Sequence, residues 1–224
     1  MIVAPSDEVL ARLRAALAAR DEGLARAHAA APAISWRRRE NGFPGLIWMI
    51  VGQQVSTASA AAIWGRVEAD LGVVTPETVL ARDVEGMREL GLSLPKARYA
   101  VALAESQASG AVDLDALGGL SDAEASEVLL SLKGIGRWTA ETYLMFCEGR
   151  IDVFPGGDIA LQEAMRWADR LDRRPSQDEA YARAEAWGPH RSVAAHRSVP
   201  RPQQMRRHRA VRRGETPHPL RDTA

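Results

Sequence analysis

A glycine hairpin and a single carboxylate give the clearest chemical signal in the sequence. Gly134-Ile135-Gly136 stands between two segments of helical character, and Asp158 follows a Pro-Gly-Gly turn twenty-two residues after Gly136. Glycine lets another backbone approach closely, and the free N–H groups at a helix start carry partial positive charge, so such a hairpin can seat a phosphate. A fixed carboxylate can stabilise positive charge that develops during a reaction. From the residues alone, however, an Asp in this position is more commonly a helix cap.

Basic side chains flank the hairpin. Lys133 precedes it, Arg137 follows it, and Lys96 lies on another helical segment. Each could contact a phosphate, and solvated surface charge is the alternative for all three. Ile135 is expected to anchor the hairpin in the core.

The composition indicates a folded protein without a disulfide framework. Apolar residues make up 46% of the chain, enough for a sizeable core. The single cysteine, Cys147, excludes an internal disulfide and a four-cysteine zinc or iron–sulfur site. Apolar runs are too short to span a membrane, and the first residues lack the apolar core of a signal peptide. We therefore expect a cytoplasmic protein with no membrane partner.

The net charge is zero but is unevenly distributed. Residues 197–224 hold eight arginines against Glu215 and Asp222, hence +6, which leaves −6 on residues 1–196. Bulk charge therefore does not indicate a nucleic-acid-binding protein, and any such function must depend on a local site. The prolines and the few apolar side chains of residues 197–224 predict a disordered basic tail.

Helix-start signals recur along the chain, whereas alternating strand patterns are scarce. Ser121 with Glu124 and Ser176 with Glu179 are capping boxes, and Ser6 can cap a first helix. The sequence therefore predicts an all-α fold. The predicted helical segments after the first are 43–56, a helix from 57, one from 76, then 83–91, 94–106, 121–133, 137–147, 158–171, 176–187 and a start at 191–196.

Several segments resemble one family of DNA repair enzymes. The hairpin region is similar to the helix–hairpin–helix DNA glycosylase superfamily in LKGIGRWTAETYL and DVFPGGD, which contain its hairpin, Gly/Pro-rich loop and aspartate. The 3-methyladenine DNA glycosylase II family resembles this chain in GFPGLIWMIVGQQVSTASAAAIWGRV, GLSLPKARYAVALAE and WGPHRSVAAH. The resemblance covers roughly residues 40–196. It implies an enzyme of base excision repair that removes alkylated bases from double-stranded DNA.

The resemblance assigns catalysis to Asp158. Loss of a base leaves positive charge on the sugar, which a carboxylate can stabilise while it orients the attacking water. Endonuclease III-like members of the superfamily carry a lysine after Gly-Ile-Gly-Arg, and its amine forms a Schiff base that permits strand cleavage. Trp138 stands at that position here, which implies a monofunctional glycosylase that leaves an abasic site. The neighbouring Asp152 is interpreted as a loop or capping residue.

The resemblance also implies how DNA is held. The target base must leave the stack, and a side chain must fill the gap. In this family the wedge comes from the loop equivalent to residues 52–56, which makes Gln54 the candidate, whereas Gln53 could brace hydrogen bonds between helices. A polar helix end is the alternative for both glutamines. The predicted DNA-binding residues are Lys133, Gly134, Ile135, Gly136, Arg137 and Gln54.

An aromatic wall is expected around the extruded base. Alkylated purines often carry positive charge, so electron-rich rings bind them by stacking and cation–π attraction. The alternative for any single aromatic residue on a helix is a place in the core. The candidates are Trp138, which is the best placed, Tyr143, Trp48 and Phe43.

The resemblance implies two lobes with the active-site cleft between them. Residues 43–152 form the lobe that carries the hairpin, and residues 1–42 pack with residues 153–196, which contain the loop of Asp158. The additional N-terminal β-domain of some relatives is expected to be absent. We expect a monomer that requires no metal or other cofactor, and the sequence leaves open whether a monovalent cation sits in the hairpin.

Residues 197–224 depart from the family pattern. The family continues with an apolar helix that contains a tryptophan, and Val199 occupies that tryptophan's place. We interpret this stretch as an aberrant terminus, such as a shifted reading frame produces. The alternative function is therefore a non-catalytic DNA-binding helix–hairpin–helix protein, inactive through loss of the last helix.

Overall fold

The structure is a computed structural model that describes residues 4–30, 35–36 and 38–196. Within these ranges there are helices and turns but no β-strand, which confirms the predicted all-α fold. The predicted tail, with Val199, lies outside the described residues. The α-helices are Asp7–Arg20 (α1), Glu22–Ala30 (α2), Gly42–Gly52 (α3), Thr57–Leu71 (α4), Pro76–Glu89 (α5), Leu94–Ala108 (α6), Asp122–Ser131 (α7), Arg137–Tyr143 (α8), Ile159–Ala168 (α9), Gln177–Ala184 (α10) and Arg191–Ala195 (α11).

The helix starts follow the capping signals of the sequence. Ser6 Oγ accepts a hydrogen bond from the backbone of Val9, at the start of α1. The capping boxes that open α7 and α10 are both present, each with a serine and a glutamate three residues later. These contacts are local in sequence, so the residue types alone were sufficient to predict them. Helix α8 continues as a π-helical turn, Leu144–Glu148, which accounts for the longer helix predicted there.

Buried apolar side chains form two clusters. The first joins α3 to α8 and includes Leu46, Ile50 and Leu129, all fully buried. The second joins α1 and α2 to α9–α11 and includes Leu10 and Leu161. Burying each such side chain stabilises the fold by about 2 kcal/mol. The protein is therefore two-lobed, and we call the two parts the hairpin lobe and the terminal lobe.

The segment between α8 and α9 crosses from one lobe to the other and is fixed by α11. Asp152 accepts a hydrogen bond from the backbone N–H of Arg191 and pairs with its guanidinium, both at 3.0 Å. Ser192 Oγ accepts from Val153 N (2.9 Å) and donates to Val153 O (2.6 Å). Asp152 is thus a structural residue, in agreement with its interpretation as a loop or capping residue. The same contacts fix the path of the chain toward Asp158.

His196 is a buried titratable group in the terminal lobe. It is 1% exposed, and its ring stacks on Trp36 with the centroids 4.7 Å apart. Phe146 lies against it at 5.9 Å. Burial, helped by the charge of Arg14, lowers the pKa of His196 to about 4.

We expect the protein to lose stability as the pH falls from about 6.5 toward 4. The unfolded chain binds a proton on this histidine near pH 6.5, whereas the folded protein resists protonation until about pH 4, so acid favours unfolding. The stabilisation is complete above the unfolded pKa, and about 2 kcal/mol of it is lost by roughly pH 5. Urea titrations near neutral pH and near pH 5 measure the difference. His196→Phe keeps an aromatic ring and should show a smaller pH dependence. An unchanged dependence would contradict the assignment.

Candidate active site

Asp158 stands at the N-terminus of α9 and faces α8. Its Oδ1 accepts a hydrogen bond from the backbone N–H of Leu161 at 2.9 Å, so the residue is a helix cap. Its Oδ2 accepts a second bond from Trp138 Nε1 at 3.1 Å. Because Trp138 lies two residues after Gly136, one hydrogen bond connects the carboxylate to the helix that leaves the hairpin. The capping role and a catalytic role are therefore compatible.

The Pro155-Gly156-Gly157 turn sets the position of Asp158. The backbone N–H of Asp158 donates to Pro155 O, and Gln162 Nε2 donates to Gly156 O at 2.7 Å. A side chain on Gly156 could not be accommodated, because a Cβ there would come within 2.7 Å of the Tyr181 ring. The Tyr181 ring, on α10, thus lies directly against the turn that precedes the Asp158 carboxylate.

The hairpin depends on one buried side chain, Ile135, and on one glycine, Gly134, that packs against a neighbouring ring. Ile135 is 5% exposed and belongs to the core of the hairpin lobe, as predicted. Gly134 has φ +86°, and a Cβ there would overlap the ring of Tyr99. Gly136 is exposed and precedes the first helical residue of α8. Helix α7 ends at Ser131, two residues before the predicted end, because the backbone already turns at Leu132.

The basic residues around the hairpin differ in what they contact. Lys96 is buried, and its Nζ donates to Val51 O at 2.8 Å, so the suggestion that it contacts phosphate is wrong. Burial also lowers the pKa of Lys96. Arg137 donates through Nε to Glu141 at 3.0 Å, and only Lys133 is exposed with no bond to another described residue. The roles of Lys133 and Arg137 in DNA binding stay predictions.

The loop after α3 is tied to the hairpin. Gln53 Nε2 donates to Gly134 O at 3.0 Å and lies 3.3 Å from Thr139 Oγ1, so Gln53 has the bracing position suggested for it. Gln54 is exposed and has φ +53°, a left-handed conformation that is strained for a residue other than glycine. Its neighbour Val55 is 39% exposed. The loop therefore presents Gln54 outward beside the hairpin, and its use as a wedge stays a prediction.

The four aromatic candidates do not form one wall. Trp138 is 37% exposed and contacts Asp158, which suits a pocket residue. Tyr143 is fully buried, and its hydroxyl accepts from Gly42 N and donates to Asn41. Tyr143 is therefore a core residue, which corrects the pocket prediction.

Phe43 and Trp48 are also packed into the hairpin lobe. Phe43 is 6% exposed and belongs to the core, so the pocket prediction is wrong for it too. Trp48 is half-buried, and the Arg39 guanidinium lies 3.6 Å from the centroid of its ring. A base could stack on that face of Trp48 only after Arg39 moved away. Trp138 remains the aromatic candidate beside the carboxylate.

Two side chains next to the site escaped the sequence analysis. Glu141 lies on α8 and Tyr181 on α10, and they are hydrogen-bonded to each other. The four-residue spacing of Arg137 and Glu141 is typical of an ion pair on a helix, so the sequence could have identified Glu141 as a partner of Arg137. Tyr181 gave no signal, because it is distant in the sequence.

The fold and the site define a helix–hairpin–helix protein whose hairpin helix contacts a carboxylate on a second lobe. Residues 47–190 match the HhH-GPD superfamily of base excision DNA repair proteins, and the chain belongs to this superfamily. Across the described residues no helix is long and apolar enough to cross a membrane. No group of three His, Cys, Asp or Glu side chains that could hold a metal ion occurs in the same ranges.

Within this superfamily, the chain is similar to proteins named 3-methyladenine DNA glycosylases. The chain is 35% identical over 120 residues to the putative DNA-3-methyladenine glycosylase YfjP of Bacillus subtilis, covering 54% of this chain and 42% of that protein. It is 32% identical over 161 residues to DNA-3-methyladenine glycosylase 1 of Schizosaccharomyces pombe, covering 70% of this chain and 71% of that one. The structure of the S. pombe 3-methyladenine DNA glycosylase Mag1 in complex with abasic DNA has a TM-score of 0.76 at 29% identity, covering 84% of this chain and 95% of that one. The chain thus spans less than half the length of the Bacillus relative.

Proposed function

We propose that the protein is a monofunctional DNA glycosylase that hydrolyses the N-glycosidic bond of alkylated purines in double-stranded DNA. The observation on which the proposal depends is the hydrogen bond from Trp138 to Asp158, because it places a carboxylate beside the hairpin helix. The relatives are named as DNA-3-methyladenine glycosylases, and these names support alkylated purines as the substrate class. The complex of the S. pombe relative with abasic DNA supports a DNA substrate.

The carboxylate acts on the sugar of an extruded nucleotide. As the bond between C1′ and the base nitrogen breaks, its electron pair leaves with the base and positive charge develops on the sugar. Asp158 stabilises that charge, and a water attacks C1′ while its proton passes to the carboxylate or to solvent. The indole N–H of Trp138 and the backbone N–H of Leu161 hold the two carboxylate oxygens, so little reorganisation is needed during the reaction.

Alkylated purines suit a site in which no side chain is assigned to protonate the leaving base. A purine that carries a positive charge leaves as a neutral base, so no side chain has to protonate it. The indole of Trp138, which is 37% exposed, can stack on the cationic ring. The site therefore selects for bases whose glycosidic bond is already weak, and it requires no cofactor.

The residue after the hairpin arginine argues against lyase chemistry. A lyase needs an amine that attacks C1′, and the side chain at this position is the indole of Trp138. Lys133 is exposed on the other side of the hairpin glycines. The product is therefore an abasic site in an intact strand.

A duplex that contains one 7-methylguanine tests the proposal. We expect strand cleavage only after alkali, and no covalent adduct when borohydride is present during the reaction. An adduct trapped by borohydride would contradict the monofunctional assignment. Tight binding to abasic DNA without release of any base would instead show a non-catalytic DNA-binding protein.

A further inference from the structure

A polar cluster around the buried Glu141 joins the two lobes next to the candidate site. The cluster consists of Arg137 and Glu141 on α8 and Tyr181 on α10. Glu141 is 7% exposed, and both of its carboxylate oxygens lie within 2.9 Å of the Tyr181 hydroxyl. Arg137 Nε donates to the same carboxylate at 3.0 Å, and the Arg137 guanidinium lies 3.7 Å from the centroid of the Tyr181 ring.

The Tyr181 end of the cluster contacts the turn that precedes the carboxylate. The Tyr181 ring lies so close to Gly156 that a Cβ there would come within 2.7 Å of it. Phe154, before the turn, meets the same ring edge-on at 6.3 Å. Two residues after Gly156 the chain reaches Asp158. A shift of the Tyr181 ring would therefore move the turn and the carboxylate with it.

We infer that Glu141 and Tyr181 are positioning residues, which set the distance between Asp158 and the hairpin by locking α8 to α10. This inference rests on the proposed glycosylase activity. Asp158 is joined to α8 directly by Trp138, and the bond between Glu141 and Tyr181 joins the same two lobes a second time. Two separate links determine the position of the carboxylate better than one bond between flexible side chains can.

The energetics of the cluster agree with a positioning role. Burial raises the pKa of the Glu141 carboxyl, and the bonds from Tyr181 and Arg137 oppose that effect. A buried charge with good partners adds little net stability compared with an apolar residue of the same size. In the proposed role the same groups favour the observed placement of the helices, because another placement would leave the buried carboxylate without its partners. Arg137 uses its Nε to bond Glu141 and one face of its guanidinium to contact the Tyr181 ring. Its other N–H groups can bind a phosphate.

The test compares catalysis with binding in two conservative variants. Tyr181→Phe keeps the ring against Gly156 and removes only the hydroxyl, and Glu141→Gln removes the charge. For each we would measure the single-turnover rate of 7-methylguanine release at saturating protein, and the Kd for a duplex with a tetrahydrofuran abasic analogue. We expect the rate to fall about 10- to 100-fold while Kd changes less than about threefold. The double variant should be no slower than the slower single variant, because the two residues act as a unit.

Ser176→Ala is the matched control. It removes the N-cap of α10, the helix of Tyr181, and should lower the melting temperature without touching the cluster. Its rate should equal that of the wild type. A wild type that releases no base would overturn the proposed function. An active wild type with unimpaired Tyr181→Phe and Glu141→Gln variants, or an equal rate loss in Ser176→Ala, would overturn the positioning role alone. Should one of the two variants fail to fold in a melting experiment, the other decides.

Discussion

Replacing Asp158 by asparagine is expected to slow base release about a thousandfold while the protein stays folded. The substitution removes the negative charge that stabilises the sugar cation but keeps the size of the side chain. Asparagine caps helices as well as aspartate does, so the amide oxygen can still accept the bond from Leu161 N. The amide nitrogen then faces the indole N–H of Trp138, and two donors meet where one bond existed. We therefore expect a loss of about 1 kcal/mol in stability beside the loss of activity.

The measurement is a single-turnover assay on 7-methylguanine duplex together with urea unfolding. Ser121→Ala serves as the control, because it removes the cap of α7 and lowers stability by a similar amount, away from the carboxylate. That variant should keep the wild-type rate. If Asp158→Asn retained a tenth of the wild-type rate or more, the carboxylate would not be the group that stabilises the transition state.

Local features of the site were predictable from the sequence, and its tertiary contacts were not. The cap at Asp158 and the buried Ile135 follow from short-range rules, since both depend on a few neighbouring residues. The helix predicted over 83–91 is a similar case: Asp83, with φ +56°, interrupts α5 where that segment begins, and its carboxylate accepts from Gly86 N. The pairing of Glu141 with Tyr181 connects residues of different lobes, and no local pattern reports such a contact.

The wrong pocket residues show where the prediction failed. Trp138 and Tyr143 lie five positions apart, so on an α-helix they point about 140° away from each other. One of them can face the cleft only if the other faces the core, and Tyr143 is the buried one. Lys96 failed for another reason. Its Nζ satisfies a backbone carbonyl at the end of α3, a tertiary use of lysine that a sequence cannot distinguish from surface charge.

Alanine substitutions at the two hairpin glycines are expected to affect different properties, stability at Gly134 and DNA binding at Gly136. Gly134 has φ +86°, which costs an L-residue about 1–2 kcal/mol, and the new Cβ would also displace the Tyr99 ring. Gly134→Ala should therefore destabilise the protein by roughly 2–4 kcal/mol. Gly136 has φ −90°, and no atom lies within 4 Å of the place that a Cβ would take. Gly136→Ala should change the stability by less than about 1 kcal/mol.

Gly136→Ala should nevertheless weaken DNA binding about tenfold, because a methyl group at an exposed helix start keeps a phosphate from the backbone N–H groups. Fluorescence anisotropy with a tetrahydrofuran duplex, at one fixed salt concentration, measures the affinity of both variants and the wild type. Unfolding curves on the same samples separate stability from binding. A Gly136→Ala protein with wild-type affinity would mean that the DNA backbone does not rest on the hairpin. The pair thus separates a glycine required by the fold from one required by the ligand, although the two stand only two residues apart.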